Sequence, residues 1–512
     1  MRGIAFPLRL APVLLLAMGL GGCLFGPDYV RPTVVTPANY RFETTEAVDT
    51  ANTPWWEQFQ DPVLNDLILA ALEDNKDVKI AAARVDQFLG QFVTTRSALF
   101  PQINAGFDAS RQRATQLGPT PVPTGVSPVF NEFSAPLMVA WELDLFGRVR
   151  RETESARASL LASEEGRRAT ILSLVASVAT AYINLRDLDQ QLTIAKATTD
   201  SRAGSVRVFQ ARFSGGDVSQ MELAQSQSEY EASLATIPQL ETQIAQQEDA
   251  LSVLLGRNPG PILRGRELTE LALPAVPAGL PSDLIERRPD LLQAEQNLVA
   301  ANALIGAARA LYFPQISLTG LFGSTSVQFS KLFTGPARVW SYAGSLTVPI
   351  FTAGSISGQV SQAEAQQQQA LIQYQQAIQT AFQEVDDALI ALQKSREQLI
   401  VQARQVEALR TYSRLARLRF EGGYTSYIEV LDAERSLFNA QLSYTQTNGL
   451  VFNSLIGLYK AMGGGWVVQA EAMTGRVMGQ GAVARVADQS ATPPATPPAN
   501  PSAPTPATEQ PK

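Results

Sequence analysis

The sequence predicts an α+β membrane protein in which four β-strands per chain form a trimeric, 12-stranded transmembrane β-barrel, continuous with a long α-helical periplasmic barrel. Three observations support this prediction. Four segments of about ten residues alternate between apolar and polar side chains, as strands of a membrane barrel do. Two long segments, 147–212 and 354–419, contain no proline, which permits very long helices. Most of the chain also repeats itself once, which gives two internal repeats.

The N-terminus has the layout of a secretory signal peptide over residues 1–22. Two arginines precede an apolar run that is too short to cross a bilayer as a stable helix. The run ends in LGGC at residues 20–23, which resembles a bacterial lipobox, and Cys23 is the only cysteine in the chain. We therefore predict that Cys23 is lipidated; the alternative is an ordinary cleaved signal followed by an incidental cysteine. Residue 24 is leucine rather than aspartate, which favours sorting to the outer membrane.

Composition excludes several classes of function. The 512 residues include no histidine, which excludes His-based acid–base catalysis, Ser-His-Asp triads and imidazole metal sites. A single cysteine excludes intrachain disulfides and thiolate zinc clusters. With 41 basic and 48 acidic residues the net charge is −7, which argues against a nucleic-acid partner. No nucleophile motif, phosphate loop or metal cluster stands out, so we expect no enzymatic activity and no cofactor.

The repeat is visible as a shared order of landmarks. FPQI at residues 100–103 recurs at residues 313–316, which is 213 positions later. RFSGG at residues 212–216 recurs as RFEGG at residues 419–423, which is 207 positions later. A shared order at a nearly constant offset is hard to obtain by chance, so the chain is interpreted as two copies of one unit of about 200 residues.

This interpretation divides the chain into six segments. They are a signal peptide (1–22), a lipidated N-terminal segment with an equatorial part (23–60), the first repeat (61–260), an equatorial linker (261–282), the second repeat (283–466) and a C-terminal segment with a disordered Ala/Pro-rich tail (467–512).

Each repeat is predicted to begin with a helix. Asp61-Pro62 is typical of an N-cap followed by proline at the first helical position, and that helix is expected to run to about Leu99. Its counterpart begins after Ser282 and ends before Pro314.

A long helix follows in each repeat and stops at a glycine pair, 215–216 or 422–423, before a shorter helix returns. At a rise of ~1.5 Å per residue each long helix would measure roughly 100 Å. Between residues 359 and 383 the surface is rich in glutamine and alanine, which suits a thin-walled tube. Helix composition alone leaves an extended coiled coil as the alternative.

The predicted strands favour the tube. In the clearest one, Phe133, Leu137 and Trp141 fall on one face, and Ser134 and Glu142 fall on the other. Apolar residues outside and polar residues inside are typical of a transmembrane barrel wall, whereas the alternative is a half-buried sheet of a soluble protein. The four predicted strands cover residues 104–113, 133–145, 315–322 and 340–350.

Four strands cannot close a barrel, and an open sheet edge is not stable in lipid, so the chain must oligomerise. Two chains would supply eight strands, whose interior is filled by side chains. A conduit therefore requires at least three chains and twelve strands. The long helices leave from the rim opposite the strand-connecting loops, and we expect them to project into the periplasm.

The sequence resembles outer-membrane efflux proteins of the TolC/OprM type, in the NodT-like lipoprotein branch. The resemblance extends from Cys23 to about Trp466. It implies a homotrimer in the Gram-negative outer membrane, in contact with outer-membrane lipid, that serves as the passive exit duct for drugs and other small toxic compounds. The implied partners are a periplasmic adaptor (membrane fusion) protein and an inner-membrane transporter of the RND type. The most specific motifs are GPDYVRP at 26–32, PSDLIERRPD at 281–290, PIF at 349–351 and YKAMGGGW at 459–466.

The resemblance also implies a periplasmic aperture formed by the second repeat. Ile428 and Asp432, four residues apart on one helical face, would form an apolar ring and an aspartate ring, and Arg419 would tie neighbouring helices. The alternative is that Asp432 is a solvated residue paired with Arg435. The equivalents in the first repeat are Met221, Gln225 and Arg212.

A second class of function remains open at the level of sequence. A trimeric lipoprotein that spans the envelope without conducting would share the long helices and the lipid anchor. Polar residues on the inner face of the strands argue against this structural role.

Overall fold

The structure is a computed structural model that describes residues 24–34, 36–37, 39–42, 53–115, 117, 122–123, 125–276, 281–463 and 466–467. The predicted signal peptide, Cys23 and nearly all of the C-terminal segment lie outside these residues. The elements are α1 (Pro62–Asp74), α2 (Lys76–Ser97), β1 (Gln102–Ala105), β2 (Asp108–Arg113), β3 (Val129–Leu143), α3 (Arg148–Gly215), α4 (Gln220–Leu254), α5 (Pro281–Arg287), α6 (Pro289–Ala310), β4 (Gln315–Ser326), β5 (Arg338–Thr347), α7 (Ser355–Glu421) and α8 (Tyr427–Ala461).

The prediction of a single helix from Pro62 to about Leu99 is wrong, because the chain breaks into α1 and α2 at Asn75. The Asn75 side chain caps α2 by accepting from the backbone N–H of Val78 at 3.1 Å, and it donates to the carbonyl of Leu254 at 2.8 Å. Gly256 passes so close that a Cβ there would lie 2.1 Å from the Asp74 carbonyl oxygen. The end of the first repeat therefore fixes the break.

The counterpart helix of the second repeat is also divided, into α5 and α6. The break falls at Arg288, which has extended backbone angles and precedes Pro289. The buried Arg288 guanidinium donates to the Ala461 carbonyl at 3.1 Å and pairs with Asp290 and Glu384, both at 2.7 Å. This position joins α6 and α7 to the end of α8.

The two long helices are confirmed. α3 contains 68 residues and α7 contains 67, so each is roughly 100 Å long at ~1.5 Å per residue. Gly216 ends α3 in the left-handed conformation, with φ of 82°. Part of α3 is apolar and long enough to cross a membrane, but 61% of that stretch is buried against the rest of the protein, as in a core helix.

One antiparallel sheet contains all the described strands, in the order β1-β3-β4-β5, with β2 also paired to β3. β1 and β2 continue one another, because the register on β3 is the same for both and Gly106 bridges them by donating to the Pro136 carbonyl at 2.9 Å. The sheet therefore has four strand positions, as predicted. The predicted ends differ, since β3 stops at Leu143 and β5 at Thr347.

The register confirms the predicted faces of the sheet. Leu137 lies opposite Phe322, which lies opposite Trp340, so these apolar side chains share one face across three strands. On the other face the side chains form polar pairs, such as Ser317 with Ser345 at 2.6 Å. The apolar face is largely uncovered in the single chain, except at the loop end, where Phe329 lies edge-to-face against Phe107 and Phe133. Its exposed large side chains are Ile103, Phe107, Leu137, Leu318, Phe322, Trp340, Tyr342 and Leu346.

The main core lies at the end of the short helices α1, α2, α5 and α6 that is remote from the sheet. There the segment 53–59 packs against α8. Trp55 stacks on Tyr459 with ring centroids 5.2 Å apart, and Trp56 meets Trp466 edge-to-face at 4.9 Å. All four aromatic side chains are almost completely buried. This aromatic cluster anchors the segment that precedes the first repeat to the end of the second repeat.

Asp61 links α1 to its surroundings from a completely buried position. One carboxylate oxygen accepts from the backbone N–H of Val63 at 2.9 Å, which confirms the predicted N-cap. The other accepts from the Tyr182 hydroxyl at 2.7 Å and from the backbone N–H of Arg266 at 3.2 Å. One carboxylate therefore joins α1, α3 and the segment 257–276.

Among the described residues α3 contacts α2, α4, α6 and α8, and α7 packs against α6 and α8. α2 and α4 therefore lie at one edge of the helical layer and α7 lies at the other. The sheet also has two open edges, because the β1/β2 strand and β5 each pair on one side only among the described residues.

Candidate functional site

The predicted aperture residues lie at the end of the long helices that is remote from the sheet. Arg419 is in the last turn of α7, Ile428 is in the first turn of α8, and Asp432 is one turn further on. Their equivalents occupy the matching positions of α3 and α4. Those equivalents are Arg212, Met221 and Gln225.

A small apolar cluster, which we call the tip cluster, joins the four helices at this end. Its buried members are Phe209, Leu223, Ala416, Tyr427, Val430 and Ala433. The rings of Phe209 and Tyr427 are 4.0 Å apart, and Phe420 stacks on Phe209 at 5.8 Å. Burial raises the pKa of the Tyr427 hydroxyl. The tip cluster therefore fixes the rotation of α8 about its axis.

That rotation leaves one stripe of α8 facing outwards. Ile428 is 61% exposed, whereas Val430, about 200° further around the helix, is buried. Asp432 lies on the exposed stripe with Arg435, and the two side chains form an ion pair at 3.0 Å with exposures of 54% and 58%. The single chain thus contains the surface pair that the sequence offered as the alternative, on the same stripe as Ile428.

Arg419 contacts a helix of its own chain. Its guanidinium lies 3.5 Å from Glu429 of α8, and the Thr425 hydroxyl also bonds to Glu429. In the first repeat the equivalent glutamate, Glu222, instead completes a capping box with Ser219. The same Ser-x-x-Glu pattern therefore caps the helix in one repeat and ties α7 to α8 in the other.

The first-repeat equivalents differ from the second-repeat residues in chemistry. Met221 is exposed and Gln225 is half-buried, so this stripe carries no charge at the position of Asp432. Arg212 lies over the Phe420 ring at 5.7 Å, a cation–π contact that crosses from the first repeat to the second.

The structure also reveals contacts of residues 24–34, which we call the N-terminal latch. The latch runs along α6, where the Tyr29 hydroxyl donates to Glu295 at 3.0 Å and Arg31 pairs with the same carboxylate at 2.9 Å. Burial and the neighbouring Glu295 charge raise the pKa of Tyr29 well above its usual range. The motif at 26–32 was noted in the sequence, but no local pattern indicates its partner, which is 266 positions away.

The latch continues to the start of α3. Gly26 has φ of 102°, and a Cβ there would lie 2.4 Å from the Cα of Gly306. The buried Arg151 reaches Asp28 at 2.7 Å and also donates to the Phe25 carbonyl at 3.2 Å. This close approach places Leu24 against Gly147, at the junction of β3 and α3.

A polar seam between α3 and α8 is a second feature that the sequence analysis missed. Asn453 donates to Asn184 at 2.7 Å, and Gln446 donates to Gln191 at 3.3 Å. Between these two hydrogen-bonded pairs, the Gln191 side chain donates to one carboxylate oxygen of Asp187 at 2.9 Å. The other Asp187 oxygen is buried without a hydrogen-bond partner in the described residues. Burial raises the pKa of Asp187 to about 6.

This seam predicts a pH-dependent stability. The folded protein binds a proton at Asp187 more readily than the unfolded chain does, so stability should fall as pH rises from about 4 to about 6 and stay level above that. Asp187→Asn should remove this dependence and stabilise the protein at pH 7.5 by about 1–2 kcal/mol, less than the full shift implies because solvent screens the carboxylate.

Thermal unfolding of wild type and Asp187→Asn between pH 5 and pH 7.5 measures this effect. Asp200→Asn, an exposed acid on the same helix, is the matched control and should behave like wild type. Parallel pH profiles for wild type and Asp187→Asn would contradict the assignment.

The described residues contain no group of three or more His, Cys, Asp or Glu side chains that could hold a metal ion. The arrangement at the tip is suited to a constriction, because it combines an exposed apolar side chain and a carboxylate on one stripe of a rigidly held helix.

Comparisons with known proteins agree with this fold. A family model described as outer membrane efflux protein matches residues 67–257 and 280–464. The probable efflux pump outer membrane protein TtgC of Pseudomonas putida is 38% identical over 458 residues, 88% of this chain and 94% of that protein. The cation efflux system protein CusC of Escherichia coli is 35% identical over 466 residues, covering 90% and 99%.

Solved structures show the same similarity. The crystal structure of the open state of the Neisseria gonorrhoeae MtrE outer membrane channel superposes with a TM-score of 0.78 at 32% identity, covering 87% of this chain and 99% of that one. Two matched family segments, close relatives over almost the whole chain and a shared architecture lead to one conclusion. The chain belongs to the outer membrane efflux protein family and is an outer-membrane channel for efflux.

Proposed function

We propose that the protein is the passive exit duct of a tripartite efflux system, working as a homotrimer with a periplasmic adaptor and an inner-membrane transporter of the RND type. Its cargo would be small molecules such as drugs and toxic compounds, and the energy would come from the inner-membrane partner. The names of two relatives from Pseudomonas putida, an antibiotic efflux pump outer membrane protein and a toluene efflux pump outer membrane protein, support this class of cargo. The observation that carries the proposal is a four-stranded sheet with a largely uncovered apolar face and two open edges.

The open edges support a trimer. An unpaired strand edge is not tolerated in lipid, so β5 of one chain would pair with the β1/β2 strand of the next. Three chains give twelve strands, with the apolar faces towards lipid and the polar faces lining a lumen. The α7 edge and the α2/α4 edge would meet at the same interfaces and close a tube of helices below the barrel. The two internal repeats would then give this tube and barrel approximate sixfold symmetry.

We expect the detergent-extracted protein to have the mass of a trimer. We also expect it to form single channels in planar bilayers. The edge-strand variant Ser341→Pro should lower the trimer fraction strongly, because proline removes a backbone donor and distorts β5, whereas Ser324→Pro in the interior strand β4 should block folding of the sheet itself. A monomer with intact β-sheet signal, or a trimer that conducts no current, would contradict the duct. The second outcome would favour the alternative, a non-conducting envelope spacer.

Lipidation of Cys23 is part of the same proposal. The N-terminal latch holds Leu24 at the junction of β3 and α3, where the apolar face of the sheet ends. An acyl chain on the preceding residue would therefore enter the inner leaflet beside the barrel, and each buried CH₂ would add about 0.8 kcal/mol of membrane affinity.

Intact-mass measurement of the native protein should find Cys23 as an acylated N-terminus. Cys23→Ser should lose the lipid mass and still trimerise, because the sheet itself inserts in the membrane. Native protein with an unmodified Cys23, or with residues of the signal still attached, would exclude the anchor.

A further inference from the structure

Three arginines interrupt the apolar face of the sheet at the end that bears the loops. The register pairs Arg111 with Asn131, two positions beyond the pair of Ala109 with Phe133, so Arg111 shares the face of these apolar residues. Arg113 follows on the same face, and Arg338 lies opposite Ser324, one pair beyond Phe322 and Trp340. In both β2 and β5 the apolar run therefore ends in arginine.

These arginines have no counter-charge among the residues that the structure describes. All three side chains are exposed, and no carboxylate of the described residues pairs with them. The nearby carboxylates Asp108 and Glu132 belong to the opposite face, where they contact Ser134 and Gln112. The sheet thus separates its charges, with cations on the apolar side and carboxylates on the polar side.

The position of the three arginines along the strands matches the boundary of a membrane. From Leu143 to Phe133 the apolar residues of β3 span about 33 Å along the strand, which a strand tilt of about 40° reduces to about 25 Å, the height of a barrel's apolar band. Asn131 is the next residue on this face after Phe133, so its partner Arg111 lies just beyond the apolar band. An arginine at the middle of the band would be strongly destabilising, but at its edge the guanidinium can reach lipid headgroups.

We propose that Arg111, Arg113 and Arg338 form a binding site for a phosphate-bearing glycolipid of the outer leaflet, of the lipid A class. Planar guanidinium groups bind phosphate through paired hydrogen bonds. The exposed aromatic residues Trp340 and Tyr342, next to Arg338 on the same face, would contact the acyl chains of the bound lipid. This inference rests on the proposed function, because it requires the apolar face to lie in the outer membrane with its loops outside.

The test measures lipid preference on delipidated trimers by native mass spectrometry, with purified phosphorylated lipid A and dephosphorylated lipid A as probes. Wild type should bind the phosphorylated form roughly tenfold more tightly. The triple variant Arg111→Gln, Arg113→Gln, Arg338→Gln should lose most of that preference, and replacement of all three by lysine should retain part of it. A matched control replaces Arg404, Arg410 and Arg414, exposed on α7, by glutamine and should bind like wild type.

Trimer mass and single-channel conductance, recorded on the same samples, distinguish a failure of the proposed function from a failure of the lipid site. Wild type that neither trimerises nor conducts would refute the proposed function. Conducting wild-type trimers without preference for phosphorylated lipid A, or a glutamine triple variant that keeps the full preference, would overturn the lipid site alone. If the triple variant fails to insert, Arg113→Gln at the end of β2 and the wild-type comparison decide the question.

Discussion

Replacement of Asp61 by alanine is expected to destabilise the protein by about 3–5 kcal/mol. The completely buried carboxylate is the acceptor for the Tyr182 hydroxyl and for the backbone N–H groups of Val63 and Arg266. Its removal takes away the N-cap of α1 and leaves three donors without an acceptor, of which the Tyr182 hydroxyl is buried. Because these donors belong to three separate parts of the chain, the loss should loosen α1, α3 and the segment 257–276 together.

Urea unfolding followed by the helical circular-dichroism signal measures this loss. Tyr182→Phe removes one of the three donors and should cost about 1 kcal/mol. Asp66→Ala, in the same helix at an exposed position, should leave the unfolding midpoint nearly unchanged. Equal midpoints for Asp61→Ala and Asp66→Ala would show that the buried carboxylate does not hold these elements together.

The elements that the sequence predicts best are those with a long, regular pattern. Alternation from Phe133 to Leu143 defines both the strand and its face, because each side chain of a strand repeats the orientation of the one two positions before it. The two long helices follow from the absence of proline and end at the predicted glycine pairs. Confirmation of the family then rests on nearly the whole chain.

Features that depend on distant residues were not predicted. The break at Asn75 is imposed by Leu254 and Gly256, about 180 positions later, so the local sequence reads as one helix. The N-terminal latch and the α3–α8 seam likewise join residues that no periodicity relates. At the tip, the sequence correctly placed Ile428 and Asp432 on one stripe, but the Arg419–Glu429 contact depends on how α7 and α8 pack.

In the proposed trimer, Asp432→Ala should strongly weaken cation selectivity and block by multivalent cations, and Ile428→Ala should widen the resting pore. Threefold symmetry would turn each residue into a ring of three, so that the carboxylates attract cations and repel anions, and the isoleucines narrow the path. The tip cluster holds α8 in one orientation about its axis. The helix should therefore not rotate to bring another side chain into the space that Ile428→Ala leaves in the pore. Bilayer recordings of conductance and reversal potential in a salt gradient measure both effects.

The ion pair between Asp432 and Arg435 provides the decisive control. If the aspartates line a constriction, Arg435→Ala should increase cation selectivity, because it removes three positive charges beside the carboxylate ring. If the pair merely lies on a solvated surface, Arg435→Ala and Asp432→Ala should both select like wild type. The first-repeat variants Met221→Ala and Gln225→Ala, at equivalent positions without a charge, should leave selectivity unchanged. Wild-type currents from Ile428→Ala and Asp432→Ala together would rule out this aperture and leave Asp432 as a surface residue.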